Sequence, residues 1–246
     1  MIYNVHGGHN FHVPGATGYF SETSEDRKVK NLVIEKLRAL GHTVYDCTDE
    51  DGTTVNQNLS NIVKKCNSHN VGLDISIHFN ASNGQGHGVE VWGYNSGTDS
   101  ISSRICNEIS KLGFTNRGVK HSTQLYVLRN TRASTILIEC CFCDSQTDSN
   151  IYNPEKMANA IVVGLTGQTV NNNNNNNNGG GGTNFKVKVS TTDLRIRTSP
   201  SLSGGIKGYI PKGVYTIVQT KNADGYEWGK LKSGVGWIAL KFTTRL

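Results

Sequence analysis

Ser134 to Phe142 reads STILIECCF. A near-continuous apolar run of this length, bounded by polar residues, predicts a central strand buried on both faces. That in turn predicts a sheet covered by other layers on each side. One residue interrupts the run. Glu139 sits in its middle, and a carboxylate is costly to bury without a partner. It is either a core glutamate paired inside the protein or a group placed there for chemistry.

Outward from this strand, short strand-like segments alternate with helical ones. Met1–His6, His42–Cys47, Leu73–Phe79, His87–Tyr94 and Thr123–Leu128 read as strands. Arg27–Gly41 carries Val29, Leu32, Val33, Ile34, Leu37 and Leu40 at helical spacing, with Gly41 as its C-terminal cap. Thr54–Asn67 places Val55, Leu59, Ile62, Val63 and Cys66 on one helical face. Further helices are expected over Ser100–Gly113 and Pro154–Leu165. The fold class is therefore α/β, a twisted mixed sheet flanked by helices.

The pattern changes after Asn171–Gly182, eight asparagines followed by four glycines. Such a run has no apolar surface to offset its ordering entropy and reads as a flexible linker. Beyond it, Asn184–Val189, Asp193–Arg197, Gly208–Lys221, Tyr226–Lys232 and Val235–Leu240 alternate polar and apolar residues between Gly, Pro, Ser and Asp. This predicts a small all-β domain. The expected organisation is residues 1–168, a linker over 169–183, and residues 184–246. Charge divides the same way. Residues 1–170 hold 14 Lys+Arg against 16 Asp+Glu, and residues 171–246 hold 11 against 3. A net −2 beside a net +8 suits two domains with different partners.

No apolar run approaches the ~20 residues of a membrane-spanning helix, and no membrane partner is expected. The start MIYNV lacks the basic and apolar regions of a secretory signal. Synthesis in the cytoplasm without a signal peptide is the expectation. In that setting the six cysteines, Cys47, Cys66, Cys106, Cys140, Cys141 and Cys143, are expected to be buried free thiols.

In open α/β sheets, ligands bind beyond the carboxyl ends of the strands. His6, His9 and His12 follow the first strand, and His78 ends the Leu73–Phe79 strand. Glu22, Glu25 and Asp26 precede the first expected helix. Two histidines and a carboxylate converging there, with Glu139 nearby, would match a hydrolytic zinc site that keeps one position for water. Taken singly, a histidine at a strand end is more often structural or simply exposed than a metal ligand.

The segments VHGGHN (Val5–Asn10), SETSEDRKV (Ser21–Val29), SIHFNAS (Ser76–Ser82) and LIECCF (Leu137–Phe142) occur in that order. Together they closely resemble the zinc-dependent N-acetylmuramoyl-L-alanine amidases of the amidase-3 type, over residues 1–168. The resemblance implies one Zn2+ held by His9, Glu22 and His78, with Glu139 as catalytic base and acid. It implies hydrolysis of the amide joining N-acetylmuramic acid to the L-alanine of the peptidoglycan stem peptide. Asp26, four residues after Glu22, and Gly41, nineteen after it, match the family's spacing for Glu22 and not for Glu25. Many members carry an acidic residue where His6 stands; His6 either orients a ligand or faces solvent. His12 has no assigned role. Asn80 and Glu90 are candidate substrate-binding residues, Glu90 being alternatively a surface carboxylate of an edge strand.

Residues 184–246 resemble bacterial SH3-type domains through DLRIRTSPS (Asp193–Ser201), IPKGVYTIV (Ile210–Val218) and GVGWIAL (Gly234–Leu240). That resemblance implies a small SH3-like barrel that binds bacterial peptidoglycan. Tyr226 and Trp228 are the candidate wall-binding residues, and Trp237 reads as core. The basic charge would also suit nucleic acid, but no basic helix or aromatic stacking motif accompanies it, so no nucleic-acid partner is expected. The chain then reads as a lytic enzyme, a phage endolysin released through a membrane pore or a clostridial-type autolysin released on lysis. The alternatives are a zinc peptidase acting within the stem peptide and a non-catalytic wall-binding protein.

Overall fold

Ser21 has an extended backbone and its hydroxyl accepts from the Ser24 N–H, so it caps a helix that begins at Glu22. Glu22 and Glu25 in the first turn, with Lys36 and Arg38 in the last, complement the helix dipole. The expected start at Arg27 is thus corrected: Glu22 is the first residue of the helix, not a loop residue before it. The computed structural model describes residues 1–169 and 185–246. Apart from Thr169, the expected linker lies outside the described residues.

The described residues form two units. In the first, the chain order is β1 (Ile2–Gly7), α1 (Glu22–Ala39), β2 (Thr43–Asp46), α2 (Val55–Asn67), β3 (Leu73–Asn80) and β4 (Val89–Gly93). It continues through α3 (Asp99–Ser110), β5 (Asn116–His121), α4 (Tyr126–Asn130), β6 (Thr135–Phe142), α5 (Gln146–Ile151) and α6 (Pro154–Thr166). The strands form one sheet in the order β2-β1-β3-β6-β4-β5. Only the β4–β6 pair among them is antiparallel, which makes the sheet mixed as expected.

The run around Glu139 is the interior strand β6. Ile136 and Ile138 pack with Val29, Val33 and Leu37 of α1, Ile105 and Ile109 of α3, and Met157 and Ile161 of α6. On the opposite face Leu137 meets Ile62 and Cys66 of α2 and Val127 and Leu128 of α4. Both faces of the strand are covered, which is why its sequence shows no alternation. All six cysteines are buried free thiols.

Two elements differ from expectation. The sequence of Thr123–Leu128 predicts a strand, yet Tyr126–Asn130 forms the short helix α4. A short apolar run carries no periodicity that separates strand from buried helix. Here packing on α2 decides it. Conversely, NRGVKH forms the edge strand β5, which is half exposed and lacks an apolar pattern.

In the second unit β7 (Phe185–Val189), β8 (Arg195–Arg197), β9 (Ile206–Tyr209), β10 (Gly213–Ala223), β11 (Tyr226–Leu231), β12 (Trp237–Ala239) and β13 (Thr243–Arg245) form one sheet. Its pairings are antiparallel throughout, in the order β13-β7-β10-β11-β12-β8-β9. Val187, Val189, Ile217, Leu231 and Ile238 form its core. Trp237 is buried beside Trp228 and Ala239. Among the described residues no helix is long and apolar enough to cross a membrane.

One buried carboxylate in the first unit reports on stability. Asp74 of β3 is buried and accepts from Asn4 Nδ2 at 2.7 Å. Burial pushes its carboxyl up to about 6, against the lowering pull of the Asn4 bond. The folded protein therefore holds this proton more tightly than the unfolded chain. Its stabilising contribution is present below about pH 4 and is lost as pH rises through 6. Asp74→Asn keeps the bond to Asn4 and cannot ionise. In urea unfolding it is expected to match the parent protein near pH 4 and to exceed it at pH 8 by ~3 kcal/mol. Equal stability differences at both pH values would overturn this reading.

Candidate metal centre and active site

The carboxyl ends of β1 and β3 and the start of α1 meet at one place. Glu22 Oε1 lies 3.1 Å from His78 Nδ1 and 3.6 Å from His9 Nε2. The three donor atoms of His9, Glu22 and His78 all lie within 4.8 Å of one another. The two imidazole rings stand edge to face, 5.3 Å between centroids. Glu22 is buried and its carboxylate is fixed by backbone groups. The Phe79 N–H donates to Oε1 at 3.1 Å and the Ala16 N–H to Oε2 at 2.8 Å. Glu25, the competing carboxylate, instead binds Lys28 at 2.6 Å and the Tyr152 hydroxyl at 3.0 Å.

The pKa shifts follow from these contacts. Burial works to raise the Glu22 carboxyl, but the His78 hydrogen bond, the two histidines and the Ala16 N–H together bring it below the usual range. Burial works to lower His78, but its bond to Glu22 and the charges of Glu139, Glu22 and Asp26 raise it. His9 is lowered, by burial first and by His78 second. Two imidazoles and a carboxylate form a donor set suited to Zn2+ and related divalent ions. The His9 side chain is 32% exposed while those of Glu22 and His78 are nearly covered, so the site opens to solvent on the His9 side. Three protein donors with one open side fit a hydrolytic zinc centre.

Close approach of backbone shapes this cradle. A Cβ on Gly8 would stand 1.8 Å from His78 Cε1, and one on Gly15 would stand 2.2 Å from Glu22 Oε2. Sequence reading missed a second support, Arg27. Its guanidinium donates to the His9 carbonyl and pairs with Asp26 at 2.6 Å and Glu50 at 2.7 Å. This ties the His9 backbone to α1. The adjacent Asp26-Arg27 pair was the available signal, but nothing local says where the fork points.

Glu139 stands directly beside His78 in the β3–β6 register and directly beside Glu90 in the β6–β4 register. Its Oε2 is buried with no partner among the described residues. Burial pushes its carboxyl up to about 7, with Glu22 and Glu90 adding to the rise and His78 opposing it. A carboxyl near neutrality suits general base and acid work. Glu90 is not a surface carboxylate of an edge strand. It is buried on β4, one strand in from the edge. Its Oε1 accepts from Asn80 Nδ2 at 3.2 Å and Trp92 Nε1 at 3.1 Å, and its Oε2 accepts from Arg117 Nε at 2.8 Å.

The other two N-terminal histidines separate cleanly. His6 is fully buried, with Nδ1 3.2 Å from the Gly7 carbonyl oxygen and 3.5 Å from Ser76 Oγ. Burial drops it to about 3, so it is neutral. The solvent-facing reading is overturned. His12 is exposed, and its backbone N–H donates to Asn10 Oδ1 at 3.0 Å.

The family defined as N-acetylmuramoyl-L-alanine amidase, Amidase_3, matches residues 1–167. The chain belongs to this family. Its amidase domain is similar to the catalytic domain of the CD27L endolysin, described as targeting Clostridia difficile. The two share 30% identity and a TM-score of 0.65, covering 70% of this chain and 99% of that one. Cwp6 from Clostridium difficile is 31% identical with a TM-score of 0.62, over 69% of this chain and 29% of Cwp6. An uncharacterized Clostridium perfringens protein is 38% identical over 154 residues, 60% of this chain and 45% of that protein. An uncharacterized cell wall amidase of Bacillus anthracis is 29% identical over 153 residues, 56% of this chain and 29% of the relative. The matches thus span less than half the length of these curated relatives.

The cradle glycines give a direct test of the candidate metal centre. Gly8→Ala and Gly15→Ala are each expected to weaken Zn2+ binding at least tenfold in chelator competition, with the far-ultraviolet circular dichroism unchanged. Unaltered zinc affinity in both variants would show that the donor triad does not need this close approach.

Proposed function

We propose that residues 1–168 form a zinc-dependent amidase. It hydrolyses the amide between the lactyl group of N-acetylmuramic acid and the L-alanine of the peptidoglycan stem. The observation that carries the reading is the convergence of His9, Glu22 and His78, from three distant segments, beside Glu139, whose buried Oε2 has no hydrogen-bond partner among the described residues. His9, Glu22 and His78 would hold the ion. When bound, zinc supplies a Lewis acid that polarises a carbonyl and lowers the pKa of a water. Glu139 takes the proton from the attacking water and then delivers it to the leaving alanine nitrogen. Phe79 and Ala16 hold Glu22 in place through their N–H groups, and Arg27 holds His9 through its carbonyl.

Residues 184–246 act as the wall-binding domain in this reading, joined through residues 169–183. Support comes from an open groove of about 790 Å3, lined among others by Tyr209, Tyr226, Trp228, Phe242, Asp193 and Arg195. Trp228 is 1% exposed and bonds the Ala223 carbonyl through Nε1 at 2.9 Å, so it forms the floor. Tyr226, its ring 6.1 Å from Trp228, forms the half-buried wall. A net charge of +8 favours an anionic envelope at low salt. Holding the enzyme on an insoluble substrate raises its effective concentration there.

Digested peptidoglycan read by mass spectrometry tests the chemistry. Intact glycan strands and stem peptides beginning at L-alanine are expected; cuts inside the stem would mean a peptidase. Glu139→Gln is expected to retain zinc and lose about 10²–10⁴-fold in kcat, while Glu22→Ala loses the zinc itself. A Glu139→Gln protein working at the parent rate would remove Glu139 from the mechanism.

The groove has its own test. Tyr226→Ala is expected to reduce co-sedimentation with purified cell walls several-fold, without changing cleavage of a soluble muropeptide. Equal loss in both assays would count against a targeting role.

A further inference from the structure

Between β4 and β5, Val89 pairs with Asn116 but Val91 pairs with Val119. Arg117 and Gly118 therefore stand together opposite Glu90. This is a β-bulge, and Gly118 takes the left-handed backbone (φ 79) that such bulges use. Asn116 braces it: its Oδ1 accepts from the Gly118 N–H at 2.9 Å, and its Nδ2 donates to Asn107 Oδ1 of α3 at 2.9 Å. Bulges re-aim side chains. Here the one re-aimed is Arg117, which reaches Glu90 and lies over the Phe142 ring at 4.9 Å.

The guanidinium is held at one end only. Its Nε donates to Glu90, while its two terminal nitrogens have no hydrogen-bond partner among the described residues. The side chain is 37% exposed. An arginine present only to cancel Glu90 would be expected to spend its fork on that carboxylate. Instead Glu90 is completed by Asn80 and Trp92, and the planar fork of Arg117 is left open.

The position of that fork follows from the register. His78, Glu139, Glu90 and Arg117 form one row across the adjacent strands β3, β6, β4 and β5. Neighbouring strands are about 4.8 Å apart, so Arg117 stands roughly 10 Å along the row from Glu139. An extended peptide covers that span in about three residues.

We propose that Arg117 is a specificity-determining residue whose open fork receives a substrate carboxylate two or three residues beyond the amide that Glu139 serves. The proposal rests on the amidase reading above. On a stem peptide the carboxylate is either the free α-carboxylate of the γ-linked second residue or the side-chain carboxylate of a third-residue diamino acid. Both offer the bidentate partner that a guanidinium fits.

The experiment uses the full chain and three N-acetylmuramoyl tripeptides: unmodified, amidated at the second residue, and amidated at the side chain of the third. The parent protein is expected to favour the unmodified compound at least tenfold in kcat/KM over one amidated form, mainly through KM. The form that suffers identifies the carboxylate. Arg117→Ala should cut that preference to less than twofold. Arg117→Gln, which can still donate to Glu90, should do the same and guards against loss of fold. A parent protein indifferent to both amidations, or variants that keep the preference, would overturn the proposal. If no compound releases an L-alanine amino terminus, the amidase reading fails separately. Titration of the same compounds into Glu139→Gln and Glu139→Gln/Arg117→Gln proteins then decides the role of Arg117 by binding alone. The carboxylate preference in Kd must appear in the first and vanish in the second.

Discussion

Glu22 stands at the first turn of a helix, touches both histidines of the donor triad, and takes two backbone N–H bonds, one from Phe79 of β3 and one from Ala16 in the loop before the helix. The rest of the site depends on that carboxylate staying ionised and still. The helix N-terminus favours its negative charge, and the N–H donors of Phe79 and Ala16 leave its oxygens little freedom. Donors held in place before an ion arrives bind it with less reorganisation. The same constraint explains the crowding around it. Backbone must pass so close to His78 and Glu22 that Gly8 and Gly15 have no room for a Cβ.

The sheet supplies the second organising element, a row of charged groups across four strands. His78, Glu139, Glu90 and Arg117 occupy successive positions on β3, β6, β4 and β5. Two carboxylates side by side raise the energy of the ionised pair. The structure divides the cost unequally. Glu90 is satisfied by three donors, whereas Glu139 keeps an oxygen without a hydrogen-bond partner among the described residues. The first is held in place by its donors. The second is a group that can exchange a proton.

Much of the fold was legible because its signals are local. The interior strand announced itself by an apolar run, and α2 and α6 by helical periodicity. The two-part organisation showed in charge. Where a signal was weak the structure decided otherwise. The apolar residues of α4 could have been strand or helix until α2 packed on them. Edge strand β5, half exposed, had no pattern to show. Of the site, His9, Glu22, His78 and Glu139 were named from ordered motifs. Which carboxylate met the histidines was settled in space, since Glu25 lies only three residues along the same helix yet turns to Lys28 and Tyr152.

Arg27, Gly15 and Arg117 had no comparable signal. Their roles depend on where a side chain or a backbone ends up relative to distant segments. Arg117 in particular owes its direction to a one-residue slip of register, and register is a property of a strand pair. His6 illustrates the same limit, since burial alone separates a neutral core histidine from an exposed one. The sequence by itself determined the layers, the division of charge and the residue types available for chemistry, because periodicity and composition act within a single segment. Only the tertiary structure decided which of those residues meet, because contacts across strands depend on register, bulges and packing.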